Sequence, residues 1–130
     1  MDIDKLKFQK KFELIDGEEQ ISIFNSVQLF NGVFPKNCGG YLTNYRIAFL
    51  KSANPMWLVL GPIGAATASA VTSQYIDFQI IFSDIVSIGK GKYGLSTIPL
   101  FKMGDGKEYK LAFSNSQKNE LKRLNITLPA

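Results

Sequence analysis

The chain has 130 residues, 45% of them hydrophobic and 20% charged, with a formal net charge of +4 at pH 7. That describes one domain, residues 1–130, with room for a single core and too little chain for two. Histidine is absent and Cys38 is the only cysteine, which excludes an internal disulfide, a Cys/His zinc site and any nucleophile activated by imidazole.

The charges are unevenly spread. Residues 1–35 carry six acids against four lysines, whereas residues 89–130 carry seven lysines and Arg123 against Asp105, Glu108 and Glu120. A basic C-terminal half favours an anionic partner, whether lipid headgroups, nucleic acid or an acidic protein, although lysines spaced along strands also serve as a plain solvated face. Cys38, between Asn37 and Gly39, reads as a small residue at a strand start, and the silent sulfur chemistry points to a reducing, cytoplasmic compartment, with attachment to a membrane periphery left open.

In chain order, Asp4 reads as the N-cap of a short helix within residues 1–15, with Leu6, Phe8, Phe12 and Ile15 on one side and Asp16-Gly17 ending it. Its early charges and interrupted apolar pattern argue against a secretory signal peptide. Residues 19–31 then alternate as a long strand: Ile21, Ile23, Val27 and Leu29 fall on one face with Asn25, and Ser22, Ser26 and Gln28 on the other with Phe24 and Phe30. Turn residues at Asn31-Gly32 and 35–40 lead into GYLTNYRIAFLK, residues 40–51. Leu42 and Thr43 end one strand there, and Ile47 and Phe49 carry the next. Asn44-Tyr45 forms the connection, with Asn44 as the residue that tolerates a left-handed backbone. The pair Gly39-Gly40 signals a bulge or a close backbone approach.

Residues 53–73 contain no charge. Gly61-Pro62 breaks this stretch and Thr67, Ser69 and Thr72 dilute it, so a transmembrane helix is rejected. Gly61 and Pro62 instead suit the start of a helical insertion over residues 63–71, rich in the small residues Gly64, Ala65, Ala66 and Ala68. Met56, Trp57, Leu58 and Leu60 precede it as an apolar knob. Three fates stay open: covering the domain's own core, pairing with a second copy to make a homo-oligomer, or meeting a membrane interface.

Residues 75–82 and 85–88 read as strands joined by a corner at Ser83-Asp84. Gly89–Gly94 reads as a loop holding Lys90 and Lys92, followed by a strand at 97–103 in which Pro99 argues for an edge or bulge. Gly104-Asp105-Gly106 marks a hairpin, and Tyr109, Leu111 and Phe113 carry the last strand. Ser114 and Gln117 form a capping-box pattern that opens a helix over 115–125, with Leu121 and Leu124 on one face. The expectation is a mainly β domain: about seven antiparallel strands in two near-orthogonal sheets, closed by a C-terminal α-helix.

Residues 40–52, GYLTNYRIAFLKS, resemble the G-x-L-x-x-T-N-x-R-hydrophobic signature of GRAM and bacterial pleckstrin-homology-like (PH-like) domains, with shorter spacing before Thr43. Residues 80–88, IIFSDIVSI, are similar to the family's strand, Asp-Ile, strand corner, and Asp16-Gly-Glu-Glu19 and 104–109 (GDGKEY) also match. The resemblance spans roughly residues 14–126 and implies a PH-like barrel. It further implies a non-enzymatic module that binds anionic lipid or a protein partner, since such domains hold phosphorylated headgroups only where basic residues gather at the barrel mouth. Here the loop between the first two strands offers only Lys36. Lys90 and Lys92 are therefore the candidate anion contacts, with Arg46 more distant.

Enzymatic chemistry is not expected. Glu18 and Glu19 point to opposite sides of a strand, and no base accompanies any serine. Gly89–Gly94 spells G-x-G-x-x-G, yet β-forming sequence follows where a dinucleotide site needs a helix. No metal or cofactor is expected. Single-stranded nucleic acid binding through Tyr93, Phe101 and nearby lysines ranks behind lipid, protein and self-association, because aromatic residues on a barrel are more often core.

Overall fold

The computed structural model describes residues 2–9, 13–50 and 76–129. Seven antiparallel strands make up one sheet: β1 (Gln20–Leu29), β2 (Lys36–Thr43), β3 (Arg46–Leu50), β4 (Ile76–Ile81), β5 (Ile85–Tyr93), β6 (Ser96–Met103) and β7 (Glu108–Ala112). Helix α1 (Ile3–Phe8) precedes them and α2 (Asn115–Arg123) follows. Their spatial order is β4-β3-β2-β1-β7-β6-β5. The two end strands are sequence neighbours, separated only by the 3-residue 3-10 turn Phe82–Asp84. A sheet with its outer strands tied so closely cannot lie flat and curls until its ends meet at that corner.

The curl encloses one core. Phe24, Val27, Leu42, Ile47, Phe49, Ile80, Phe101, Leu111 and Leu121 fill it from six strands and α2, each large side chain contributing about 1.5–3 kcal/mol by leaving water. Helix α2 plugs this core with Leu121 and is well defined at both ends. The Ser114–Gln117 capping box is present. At the other end Asn125 takes φ 64°, and the amides of Asn125 and Ile126 donate to Lys122 O and Leu121 O, both at 2.9 Å. This is a Schellman closure with asparagine in the left-handed position.

Several local expectations need correcting. The N-terminal helix is shorter than residues 1–15, and Asp2 rather than Asp4 caps it, accepting from Lys5 N at 3.1 Å. At Gln9 the backbone is extended, and tertiary bonds hold this end of the helix: Leu6 O accepts from Gln79 Nε2 at 2.5 Å, and the Gln9 amide oxygen from Arg46 at 3.0 Å. In β1 the simple alternation fails. Two residues of β1 oppose one of β2 between Gln20 and Ser22, and an extra residue intervenes between Phe24 and Val27. The second bulge brings both Phe24 and Val27 into the core, and Ile21, the extra residue of the first, is exposed.

The β2–β3 turn spans the expected residues for a different reason. Among the described residues only Asn125 combines a side chain with positive φ, so Asn44 is not left-handed. Thr43 Oγ1 closes the turn by accepting from Tyr45 N at 3.1 Å and Arg46 N at 3.0 Å. Asn44 reaches sideways instead, accepting from Glu19 N at 2.7 Å and donating to Gly17 O at 2.9 Å. Gly40 bears out the close approach: a Cβ there would lie 2.9 Å from Ala48 O and 3.1 Å from the Phe49 ring. Pro99 sits on an inner strand, but the β6–β7 ladder runs only from Leu100 to Lys102, so no β7 bond is lost. The uncharged stretch 53–73 lies outside the described residues. No described helix is long and apolar enough to cross a membrane.

Candidate functional site

Arg46, a candidate anion contact in the sequence, faces inward, and its side chain is 0% exposed. Its Nε and Nη2 grip Glu18 Oε2 and Oε1 at 2.8 and 3.0 Å. Nη2 also donates to Glu13 O at 2.8 Å, and Nη1 to Gln79 Oε1 at 3.0 Å. Glu18 in turn accepts from Thr43 Oγ1 at 2.7 Å and Ile15 N at 3.2 Å. A buried forked pair so fully bonded fastens residues 13–19 to the β2–β3 turn. The T-N-x-R stretch therefore builds structure here and does not offer its guanidinium to a ligand.

Lys90 and Lys92 also stand differently from expectation. Residues 89–93 are strand, with Lys90 opposite Pro99, Gly91 opposite Ile98 and Lys92 opposite Thr97. Only Gly94, at φ 60°, belongs to the turn. Gly91 leaves room for its neighbours: a Cβ there would stand 3.2 Å from Leu100 Cβ and 3.3 Å from the Lys110 stem. Lys110 passes over it to donate from Nζ to Lys92 O at 2.9 Å. The two lysines, two residues apart, share the exposed face of β5, and Lys92 Nζ lies 3.2 Å from Thr97 Oγ1. A lysine-bearing end strand also resists pairing with other chains, a purely structural use.

Tertiary folding adds an apolar surface beside them. The β1–β2 connection, residues 30–35, meets the β5–β6 turn through Tyr93, whose ring lies 4.7 Å from that of Phe30 and whose hydroxyl donates to Val33 O at 2.5 Å. Val33 and Phe34 are each 82% exposed and Leu95 is fully exposed. Two strand tips are thus clamped side by side, each presenting large apolar side chains to solvent, with Lys92 one residue from the clamp. Sequence reasoning missed all three residues. The available signal was Val33-Phe34 set between Asn31-Gly32 and Pro35, where no strand alternation explains an apolar pair.

Lys36, at the start of β2, is ion-paired. Its Nζ lies 3.1 Å from Asp77 Oδ2, and that bond, then the same carboxylate's charge, raises the ammonium above its usual pKa. Cys38 is buried, and burial pushes its thiol up, with Lys36 opposing, as an inert packing cysteine requires. Met56, Trp57, Leu58 and Leu60, and Gly64, Ala65, Ala66 and Ala68, lie outside the described residues. Among the described residues no cluster of acids and cysteine could hold a metal ion. No protein-family model matches this chain, and a search of curated proteins found no relative.

Proposed function

We propose that this chain is a non-enzymatic binding module of PH-like, GRAM-like architecture that attaches reversibly to anionic membrane surfaces through its paired tips. The strand order, the Phe82–Asp84 corner and the helix packed into the core support that architecture. In this reading β1–β4 and β5–β7 are two sheets crossing at a steep angle. The observation that carries the function is the exposure of Val33, Phe34 and Leu95 on two adjoining tips.

The magnitudes suit a weak, reversible attachment. Burying three such side chains is worth roughly 1.5–3 kcal/mol each, and each lysine near an anionic surface adds about 1 kcal/mol. Immobilising the protein costs about 4 kcal/mol or more. The apolar side chains carry most of the attachment, and the lysines add a share that salt screens. Protein recruitment through the same tips is the competing outcome.

Co-sedimentation with phosphatidylcholine vesicles, with and without phosphatidylserine, tests this. The chain should pellet with the anionic vesicles at low salt and lose most of that binding on V33S/F34S/L95S substitution. Failure to pellet at low salt removes the membrane reading.

A further inference from the structure

Strand β4 is an end strand of the sheet and, among the described residues, pairs only with β3. In an antiparallel strand about half the backbone N–H and C=O groups face each edge, so among the described residues β4 has a row of them on its outer side with no partner strand. Along that side runs a cleft of about 330 Å³, bounded opposite by the β6–β7 hairpin. Its volume is at the small end of ligand pockets. An extended segment can hydrogen-bond along a strand edge, whereas a helix satisfies its backbone groups internally and cannot.

Two further features narrow the occupant. Phe78 of β4 and Tyr109 of β7 both line the cleft and stack with centroids 5.0 Å apart, and Phe78 stacks on buried Phe49 at 4.5 Å. A column of three rings therefore rises from the core and ends in the cleft at Tyr109. The acids lining the cleft are Asp77, Asp84 and Asp105, against Lys7 and Lys107, and among the described residues Asp105 alone of the three is held in no ion pair. Asp84 is engaged by Lys7 at 3.3 Å, and Asp77 by Lys36, which does not line the cleft. Burial first, then the charges of Asp105 and Asp77, raises the pKa of the Tyr109 phenol, so both carboxylates act on the same hydroxyl.

We infer that this cleft binds an extended peptide carrying a basic side chain: the peptide backbone adds a strand to β4, and its arginine or lysine sits on Tyr109 between Asp77 and Asp105. Strand addition supplies affinity and the side-chain subsite supplies selectivity. A cation over an aromatic face flanked by carboxylates gains from both. A second copy offering its own β4 would bring the same acids together, which disfavours self-pairing at this edge. The inference does not depend on the membrane reading, because the strand-tip residues Val33, Phe34 and Leu95 are not among the residues that line the cleft.

The test uses the full chain and a short fluorescein-labelled peptide of alternating valine and arginine, read by fluorescence anisotropy. Binding should be at least about tenfold weaker for a valine–glutamate peptide and for a valine–arginine peptide N-methylated at alternate backbone positions. It should weaken similarly for a D77N/D105N variant, in which the side-chain carbonyl at position 105 can still accept the bond that Asp105 Oδ1 takes from Lys107 N at 3.0 Å. Hydrogen exchange should slow at β4 amides when the arginine peptide is added. No binding, equal binding of the glutamate peptide, an unaffected variant of unchanged circular dichroism, or protection falling away from β4 would each overturn the inference. So would light scattering that shows a dimer which the peptide cannot compete apart.

Discussion

Replacing Glu18 by glutamine should be among the most damaging single changes available to this chain. The substitution keeps shape and one acceptor but strips the charge that faces Arg46, whose side chain has no exposed surface. The guanidinium would retain neutral partners at Glu13 O, Gln9 and Gln79, none of which compensates a buried positive charge. Removing one member of a buried ion pair costs about 3–5 kcal/mol, which for a domain of this size lowers the melting temperature by about 10–20 °C. The exposed pair Arg123–Glu120, 3.3 Å apart with side chains 75% and 29% exposed, is the internal control: E120Q should cost about 0–1 kcal/mol. Urea unfolding followed by circular dichroism would measure both. In the cycle with R46M, the double variant should cost no more than the worse single, a coupling of at least about 2 kcal/mol. If E18Q costs as little as E120Q, water reaches the pair and the account of residues 13–19 as clamped is wrong.

Further outcomes follow from the same geometry. Gly40→Ala places a methyl against the Ala48 carbonyl at 2.9 Å and should cost about 1–3 kcal/mol in urea unfolding. Ser114→Ala removes one half of the α2 capping box and should cost about 1 kcal/mol, read as a lower urea midpoint with an unchanged slope. For Tyr109 the folded pKa is raised, chiefly by burial, so the unfolded chain loses its proton first as pH rises. The stability this group contributes is whole below about pH 10 and is lost above it. Y109F should flatten the alkaline limb of a stability–pH curve and leave neutral pH nearly unchanged. The Cys38 thiol is likewise raised by burial, and a disulfide reagent should label it slowly at mildly alkaline pH and rapidly once urea unfolds the chain.

The strands and their connections were largely legible along the sequence because they are local. A period of two, the Gly104-Asp105-Gly106 turn, the Ser83-Asp84 interruption and the Ser114–Gln117 cap each act through residues within a turn of one another. The faces of β1 were not legible, because bulges are set by what the partner strand can accommodate, and here Gly40 stands opposite Phe24. The run 89–93 looked like a loop by its glycines. The close approach of Ile98, Leu100 and the Lys110 stem to Gly91 shows why a glycine suits the strand there. The candidate site fared worst: Arg46 faces inward, and the apolar tips only become neighbours through Tyr93.

What this sequence determined alone was the inventory: seven strands of antiparallel type, a capped C-terminal helix, and the absence of imidazole and disulfide chemistry. Those follow from backbone preferences and side-chain chemistry that residues carry wherever they are placed. Tertiary structure decided which groups meet. Glu18 finds Arg46 28 residues away, Tyr93 finds Val33 60 away, and β7 joins β1. Such pairings have no sequence period. They are selected only once closing the sheet removes water from one set of side chains and leaves Val33, Phe34 and Leu95 exposed.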